Sequence, residues 1–359
     1  MCYSLLYHNC TLMGEGMKTK FGINDSVIVS EIEENYCLNI QEIVFLPEGD
    51  ISYAYIITCK DRTKYFLKLF DKSSEKGKES VKLLGFYLPL TWEMYYKGLY
   101  KNITYPIKSI KDSFQVNIGT AVIVLFSFIE GKTLAEAYPF SRFLLEKVAR
   151  GISDIHRVTY QLSIDTPKVE NFMIPFEKNL MLVLEVLENT DMFENEDIQN
   201  LKTYIISRKN KVLYFLKQLH IYQEEIKNNQ QAMVLTHGDI WGGNLILGKN
   251  DILYFIDWES AMIAPREADL RHYLFEEFDY FIEKYIEQSR EHIKLDSNIF
   301  GFYTYRSHLA NLTNWISRML YNNQSSEQNK SDFECITFHC MERWDSVEDK
   351  MKVLNNILS

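Results

Sequence analysis

No uninterrupted apolar run in this chain of 359 residues approaches the ~18 needed to cross a bilayer, which argues against a membrane protein. Its start, Met1 to Lys18, lacks a basic stretch followed by a long apolar one, so it does not read as a signal peptide. Met13 and Met17 allow these residues to be an extension upstream of the core protein, and poor order is expected there. The six cysteines, at positions 2, 10, 37, 59, 335 and 340, contain no Cys-x-x-Cys pair. Only His339 accompanies Cys335 and Cys340, so the pattern points to reduced, partly buried thiols in the cytoplasm rather than to zinc. An excess of basic charge is also missing, since 39 Lys and Arg face 49 Asp and Glu for a formal charge of −10. That balance argues against a protein whose task is gripping nucleic-acid phosphates, and it suits a cationic small molecule while also serving solubility. No internal repeat is visible.

What is present is globular. Hydrophobic residues make up 46% and charged residues 25%, which suggests neither disorder nor a fibrous architecture. The length exceeds the ~250 to 300 residues at which single cores stop growing, so two domains are expected. A helix is expected over 25–37, then strands near 41–47, 52–59 and 63–70 in an antiparallel meander. A charged stretch from Asp71 to Lys82 leads into a helix ending near Tyr100, with Pro89 as a start or kink. After the strand Ala121 to Phe126 the chain turns helical, over about 140–158, 168–188, 196–228, 267–292, 297–321 and 330–357, and the polar patch Asn322 to Ser331 reads as a loop. The boundary predicted is residues 1–126 for one domain and 127–359 for the other.

One segment carries chemistry. His237-Gly238-Asp239-Ile240-Trp241-Gly242-Gly243-Asn244 is followed, thirteen residues after Asn244, by Asp257 in Ile256-Asp257-Trp258-Glu259. Phosphoryl transfer to a hydroxyl needs a carboxylate that accepts or orients the attacking proton and, five residues on, an amide that holds a metal ion. A second carboxylate then grips the metals that bridge the nucleotide phosphates. Asp239, Asn244 and Asp257 have that order and spacing. Leu245-Ile246-Leu247 and Ile252 to Ile256 flank the turn Gly248-Lys249-Asn250-Asp251, a hairpin that would present both metal ligands at strand ends. Any one of these pieces alone would be ordinary turn chemistry.

The nucleotide half is read upstream. In Tyr65-Phe66-Leu67-Lys68-Leu69-Phe70, alternation puts Lys68 on the face of Phe66 and Phe70, opposite Leu67 and Leu69, where a cation wants an anionic partner such as nucleotide phosphates. Glu75, Glu79 and Glu93 are available on the following helix to pair with it, and Glu79 is the expected partner because it lies early in the helical region. Leu46 to Ser52 would be the loop over the phosphates. It holds a single glycine, so backbone amides or Ser52 would make the contacts. The linker Phe126-Ser127-Phe128-Ile129 can offer backbone groups, at Ser127 and Phe128, to a purine edge.

Together the sequences HGDIWGGN, IDWESAMIAPREADL, the LKLF strand and the FIEGKTL linker resemble the aminoglycoside phosphotransferase family, which shares its fold with choline and homoserine kinases. The resemblance runs from about residue 40 to 275, and GDISYAYI with IDWE and APREADL looks most like the spectinomycin phosphotransferase branch. It implies an α+β, two-lobed, protein-kinase-like fold with a small β-rich N-terminal lobe, a larger helical C-terminal lobe, ATP (or GTP) between them and Mg2+ as cofactor. By the same resemblance Asp239 matches the catalytic base, Asn244 and Asp257 the metal ligands, and Lys68 the phosphate lysine. His237, Arg266 and Asp269 match positions that support the loop. Glu259 stands where protein kinases carry glycine and reads as a solvated carboxylate, with assistance at the metal as the other reading. The activity implied is O-phosphorylation of a small cationic molecule, an aminoglycoside or aminocyclitol such as spectinomycin. The alternatives are a metabolite kinase for choline, an amino alcohol or a sugar, and a catalytically silent scaffold, against which the presence of all four key residues speaks. Glu194, Glu196, Glu276, Glu277 and Asp279 could meet ammonium groups, although each of them taken singly reads first as part of a solvated charged face. His156 reads as a helix-end histidine satisfied by the lobe interior. A cytoplasmic monomer or homodimer is expected, with no nucleic-acid or membrane partner.

Overall fold

Asn24 starts the first helix by accepting a hydrogen bond from the Ser26 amide, and α1 (Asp25–Tyr36) buries Ile28, Ile32 and Tyr36 at four-residue spacing. The computed structural model describes residues 20–47, 52–163, 168–227, 231–289, 293–323 and 325–358. The expected N-terminal extension and residues 48–51 of the expected phosphate loop lie outside them. Behind α1 stand β1 (Ile40–Leu46), β2 (Tyr53–Cys59) and β3 (Lys64–Asp71), then α2 (Glu75–Tyr96), β4 (Val116–Ile118) and β5 (Ala121–Ser127). They form one sheet in the order β1-β2-β3-β5-β4 with every neighbour antiparallel.

Period-two alternation gives this sheet two different faces. Leu67, Leu69, Ile57, Ile123 and Leu125 pack with α1 in a core of their own. Phe70, Val122, Val124 and Phe126 face the other way and join the large core of the helical half, with Phe66 packed against them. Lys68, between Leu67 and Leu69 on the strand, therefore projects toward that second half.

The second half contains β6 (Gly131–Thr133), α3 (Arg142–Val158), α4 (Glu177–Asn189), α5 (Glu196–Ile206) and α6 (Lys209–Lys227). It continues with β7 (Met233–Thr236), β8 (Leu245–Gly248), β9 (Leu253–Phe255), β10 (Met262–Pro265), α7 (Glu267–Leu270), α8 (Phe278–Ser289), α9 (Ser297–Tyr321), α10 (Ser326–Glu334) and α11 (Trp344–Leu358). The predicted hairpin is the β8–β9 pair, extended by β6 on its other side, while β7 pairs with β10. A β-rich first part and a helical second part make the two-lobed, protein-kinase-like α+β fold. Among the described residues no helix is long and apolar enough to cross a membrane.

Several helices differ from expectation, each for a local reason. Pro89 neither starts nor divides α2, which runs unbroken past it because Leu84, Leu88, Leu90 and Met94 bury one continuous face. Residues 168–174 are not helical, since Lys168 and Glu170 bond across to Ile263, and after a turn at Pro175 and Phe176 the helix starts only at Glu177. A turn at Ser207 and Arg208 splits the helix expected over 196–228. The helix expected from 267 is broken before Phe278, where Glu276 turns to accept from the Phe140 amide at 2.8 Å. The expected loop at 322–331 is mostly α10, started by a capping box of Ser325 and Gln328, and a π-helical turn, Cys335–Cys340, interrupts the helix expected over 330–357.

Glu267 ties two of these helices together. Its buried carboxyl accepts the Asp296 amide at 2.8 Å, where α9 begins, and burial pushes its pKa up to about 7. Because the native state holds this proton more tightly than the unfolded chain, the group stabilises most below the ordinary Glu pKa and progressively less as pH rises through 7. Glu267→Gln keeps the acceptor without the charge. Thermal denaturation is expected to show the variant close to the parent at pH 5 and more stable at pH 8, by roughly 1 to 3 kcal/mol.

Candidate active site

β7 and β10 pair so that the loop after β7 passes beside the segment that follows β10. At that crossing Asp269, with no exposed surface, accepts the His237 amide at 2.9 Å and the Gly238 amide at 2.7 Å. His156 on α3 meets the same carboxylate at 3.2 Å and Tyr285 of α8 at 2.7 Å through its other ring nitrogen. Burial opposes ionisation of Asp269, but the His156 hydrogen bond and the loop amides outweigh it and hold its pKa below the usual value. Gly238 has φ +83°, and a Cβ there would come within 2.5 Å of the Ser260 carbonyl oxygen, so the loop can make this approach only with glycine. His237 is also buried and kept neutral by burial, with Nε2 donating to the Ile256 carbonyl at 2.9 Å and Nδ1 accepting from the Asp239 amide at 3.3 Å. His237 thus links the loop that carries Asp239 to the strand that leads into Asp257.

The hairpin completes the link. The Ile256 amide donates to the Asn244 carbonyl at 3.0 Å, and the side-chain amide of Asn244 donates to the Asp239 carbonyl and carboxylate, each at 2.9 Å. The donor end of Asn244 is committed in this way, and its oxygen is the end able to face a cation. Asp257 follows with φ 62° and ψ 73°, a left-handed conformation unusual for a residue with a side chain. Buried Trp258, anchored by its indole to the Phe255 carbonyl at 3.1 Å, keeps the chain turned there.

Across from this loop, Lys68 reaches Asp257 at 2.9 Å and Glu259 at 2.7 Å. Burial alone would lower the lysine pKa, yet the two carboxylates raise it and hold the ammonium charged. Burial likewise disfavours the charged form of Asp257, and Lys68 overcomes it to keep the carboxylate below its usual range. Asp239 is different: burial and then the Asp257 charge push its pKa up to about 6, against the opposing pull of Arg271 and Asn244. A carboxylate at the edge of ionisation, beside an ionised partner, is suited to accepting a proton.

Asp239, Asn244, Asp257 and Lys68 therefore meet in one place. Other expected site residues do not. Glu79 is exposed near the start of α2 and is not the partner of Lys68, because the carboxylates that reach the lysine come from the loop after β9. Ser127 gives its amide to the Tyr105 carbonyl at 2.9 Å and accepts the Tyr105 amide on its hydroxyl at 3.1 Å, so its N–H is not a free donor for a purine. Phe128 is half-buried on the linker with Lys64 5.5 Å from its ring centre, and Ser52 is buried at the start of β2. Glu259 is not a solvated carboxylate, since its side chain is only 21% exposed and bound to Lys68. Missed altogether were Tyr138, whose hydroxyl accepts the Gly242 amide at 2.9 Å, and Arg271, whose charge acts on Asp239. Neither sits in a motif, and only the folding of distant segments brings them there.

The family model of the phosphotransferase enzyme family matches residues 110–292, more than half of the chain. No curated protein matches by sequence. Among solved structures, a spectinomycin phosphotransferase in complex with ADP and spectinomycin has a TM-score of 0.67 at 18% identity, covering 87% of this chain and 94% of that one. An amicoumacin kinase in complex with AMP-PNP and Ca2+ has a TM-score of 0.57 at 14% identity, covering 87% and 93%. A Plasmodium vivax ethanolamine kinase has a TM-score of 0.57 at 15% identity, covering 93% and 94%.

Removing the Asp269 carboxylate would leave two loop amides and the His156 ring without their acceptor. In urea denaturation Asp269→Ala is expected to lose about 3 to 5 kcal/mol of stability. An unchanged midpoint and slope would show that the brace carries no energy.

Proposed function

The chain belongs to the phosphotransferase enzyme family, and from that membership we propose that it moves the γ-phosphoryl group of ATP to a hydroxyl of a small molecule. The observation that carries this reading is the meeting of Lys68, Asp239, Asn244 and Asp257: Lys68 bonds to Asp257, Asn244 bonds to Asp239, the Ile256 amide ties Asn244 to the strand that leads into Asp257, and the charge of Asp257 acts on Asp239. The donor set suits a nucleotide with a divalent cation. Asp257 and Glu259 meet at Lys68, and the charge of Asp257 adds to burial in disfavouring ionisation of Asp239, a cost that an added cation would relieve. Asn244 and Asp257 would hold that cation, which would neutralise charge building on the transferred group. Lys68 would bind the phosphates. Asp239 would orient the acceptor hydroxyl and take its proton, and its raised pKa makes it ready to hold one. The nucleotide would lie between the lobe ending at residue 126 and the lobe beginning at 127. Its base would meet the linker backbone at Phe128, since the Ser127 amide is already bonded.

The acceptor we propose is a small cationic molecule, an aminoglycoside or aminocyclitol such as spectinomycin, and the role antibiotic resistance in the cytoplasm. The motifs IDWE and APREADL support it, as does the overall similarity to an enzyme solved with spectinomycin. Of the acidic residues with which an ammonium could pair, Glu277 is bound to Arg142 at 2.7 Å, while Glu196 and Asp279 stand on exposed helix starts and Glu194 on the exposed bend before one. Glu276, half-buried, accepts the amide of Phe140, whose ring stacks on Tyr138, the residue that bonds the Gly242 amide of the loop, and it is the best placed of them.

Asp239→Ala is expected to lower turnover by roughly 10²- to 10⁴-fold while leaving nucleotide affinity near that of the parent. Near-parental turnover would sink the mechanism. Asp257→Ala should weaken binding of magnesium ATP by about tenfold or more, measured by calorimetry, and unchanged binding would remove it from the metal site. ADP release assayed against aminoglycosides, spectinomycin, choline, ethanolamine and small sugars identifies the acceptor. Turnover confined to a metabolite would overturn the antibiotic reading and leave the chemistry standing.

A further inference from the structure

Kinase-type sites normally hold the strand lysine with a carboxylate from the helix that follows the third strand. Here α2 brings none to Lys68. Glu75 and Glu79 are exposed, and Glu93 is bound to Lys97 at 2.7 Å and to the Ser163 amide at 2.9 Å. What α2 turns toward the lysine cluster is Tyr87, which is 3% exposed, with its hydroxyl beside Glu259 but short of a completed hydrogen bond. Glu259 lies on the 3₁₀ turn Trp258–Ser260, whose buried tryptophan fixes it, and is bound to Lys68 at 2.7 Å.

We propose that Glu259 is the positioning residue for Lys68, taking over from the catalytic lobe the task that a helix carboxylate performs elsewhere, with Tyr87 as the point where α2 touches the pair. The inference rests on the phosphotransfer reading above. Its physical basis is that Lys68 has two carboxylate partners and they are not equivalent. Asp257 has a side chain 40% exposed and is the carboxylate a divalent cation would claim, whereas Glu259 is 21% exposed and lies farther along the same turn. With Asp257 given to a cation, Glu259 remains to neutralise and aim the lysine. The orientation of Lys68 then depends on the loop after β9 and not on how α2 is placed.

Two measurements test this without relying on turnover. In ligand-free protein, Lys68→Met leaves two carboxylates facing each other, so adding Glu259→Gln should recover part of the lost melting temperature. Additive losses in the double variant would overturn the pairing. Calorimetric or resonance titration with Mn2+ in the presence of AMP-PNP should give Glu259→Gln an affinity within about twofold of the parent, and a fall of tenfold or more would make Glu259 a metal ligand instead. With turnover as the readout, Glu259→Gln should lower kcat/KM for ATP by about tenfold or more, and by little further once Lys68 is already Met. Glu79→Ala should leave it unchanged, and an equal loss there would return the role to α2. If no acceptor is turned over by the parent protein, the function reading fails, while the melting cycle and the Mn2+ titration still decide the role of Glu259.

Discussion

The catalytic half depends on a carboxylate that water does not reach. Asp269 gathers the amides of His237 and Gly238 and the ring of His156, which in turn holds Tyr285, so one anion fixes the loop that carries Asp239 against α3 and α8. A buried charge is costly unless each of its lone pairs is used, and here three donors share it. From this point order passes outward by direct bonds. His237 reaches Ile256, Ile256 reaches Asn244, and Asn244 reaches Asp239. The positions of the candidate base and of both candidate metal ligands thus derive from one brace that makes no contact with Lys68.

Fixing these groups creates an electrostatic problem that the fold does not fully solve by itself. Burial and then the nearby charge of Asp257 raise the pKa of Asp239, and Lys68 offsets the two carboxylates it touches, Asp257 and Glu259, but not Asp239. Asp257 also occupies a left-handed backbone conformation that β-branched or bulky residues avoid. A carboxyl pKa raised by burial and a neighbouring charge, next to a left-handed backbone, is a combination that recurs at functional sites.

Much of this was legible in the sequence, and the reason is spacing. Asp239 and Asn244 share one loop, a short hairpin carries Asp257 back beside them, and alternation on β3 sends Lys68 to the correct face, so local rules suffice for all four. The strands β1 to β3 and the helix α9 were readable on the same basis. Pairings made across the fold were not. The partners of Lys68 lie 189 and 191 residues away in Asp257 and Glu259, and no periodicity in α2 signals that Glu75 and Glu79 face solvent while buried Glu93 is taken by Lys97 and the Ser163 amide. Ser127 looked free because its partner Tyr105 is on a separate segment that folds back along the linker. By contrast, the start of α10 was written locally in Ser325 and Gln328, a capping box overlooked among polar neighbours.

The long-range pairing has a mechanical consequence. Lys68 belongs to the sheet and its two carboxylates to the helical half, so these ion pairs bridge the two parts across the site itself. A nucleotide phosphate group that draws on Lys68, and a cation that draws on Asp257, would each compete with an interaction that holds the parts together. Binding would therefore exchange a protein-only bridge for one that includes the ligand, with no net loss of charge pairing. The energetic cost of opening the bridge is limited because Lys68 is not stranded when one partner leaves: the second carboxylate remains within hydrogen-bond distance. A single-partner lysine would have to choose between its structural and its chemical role, and the pair of acids on one turn removes that choice.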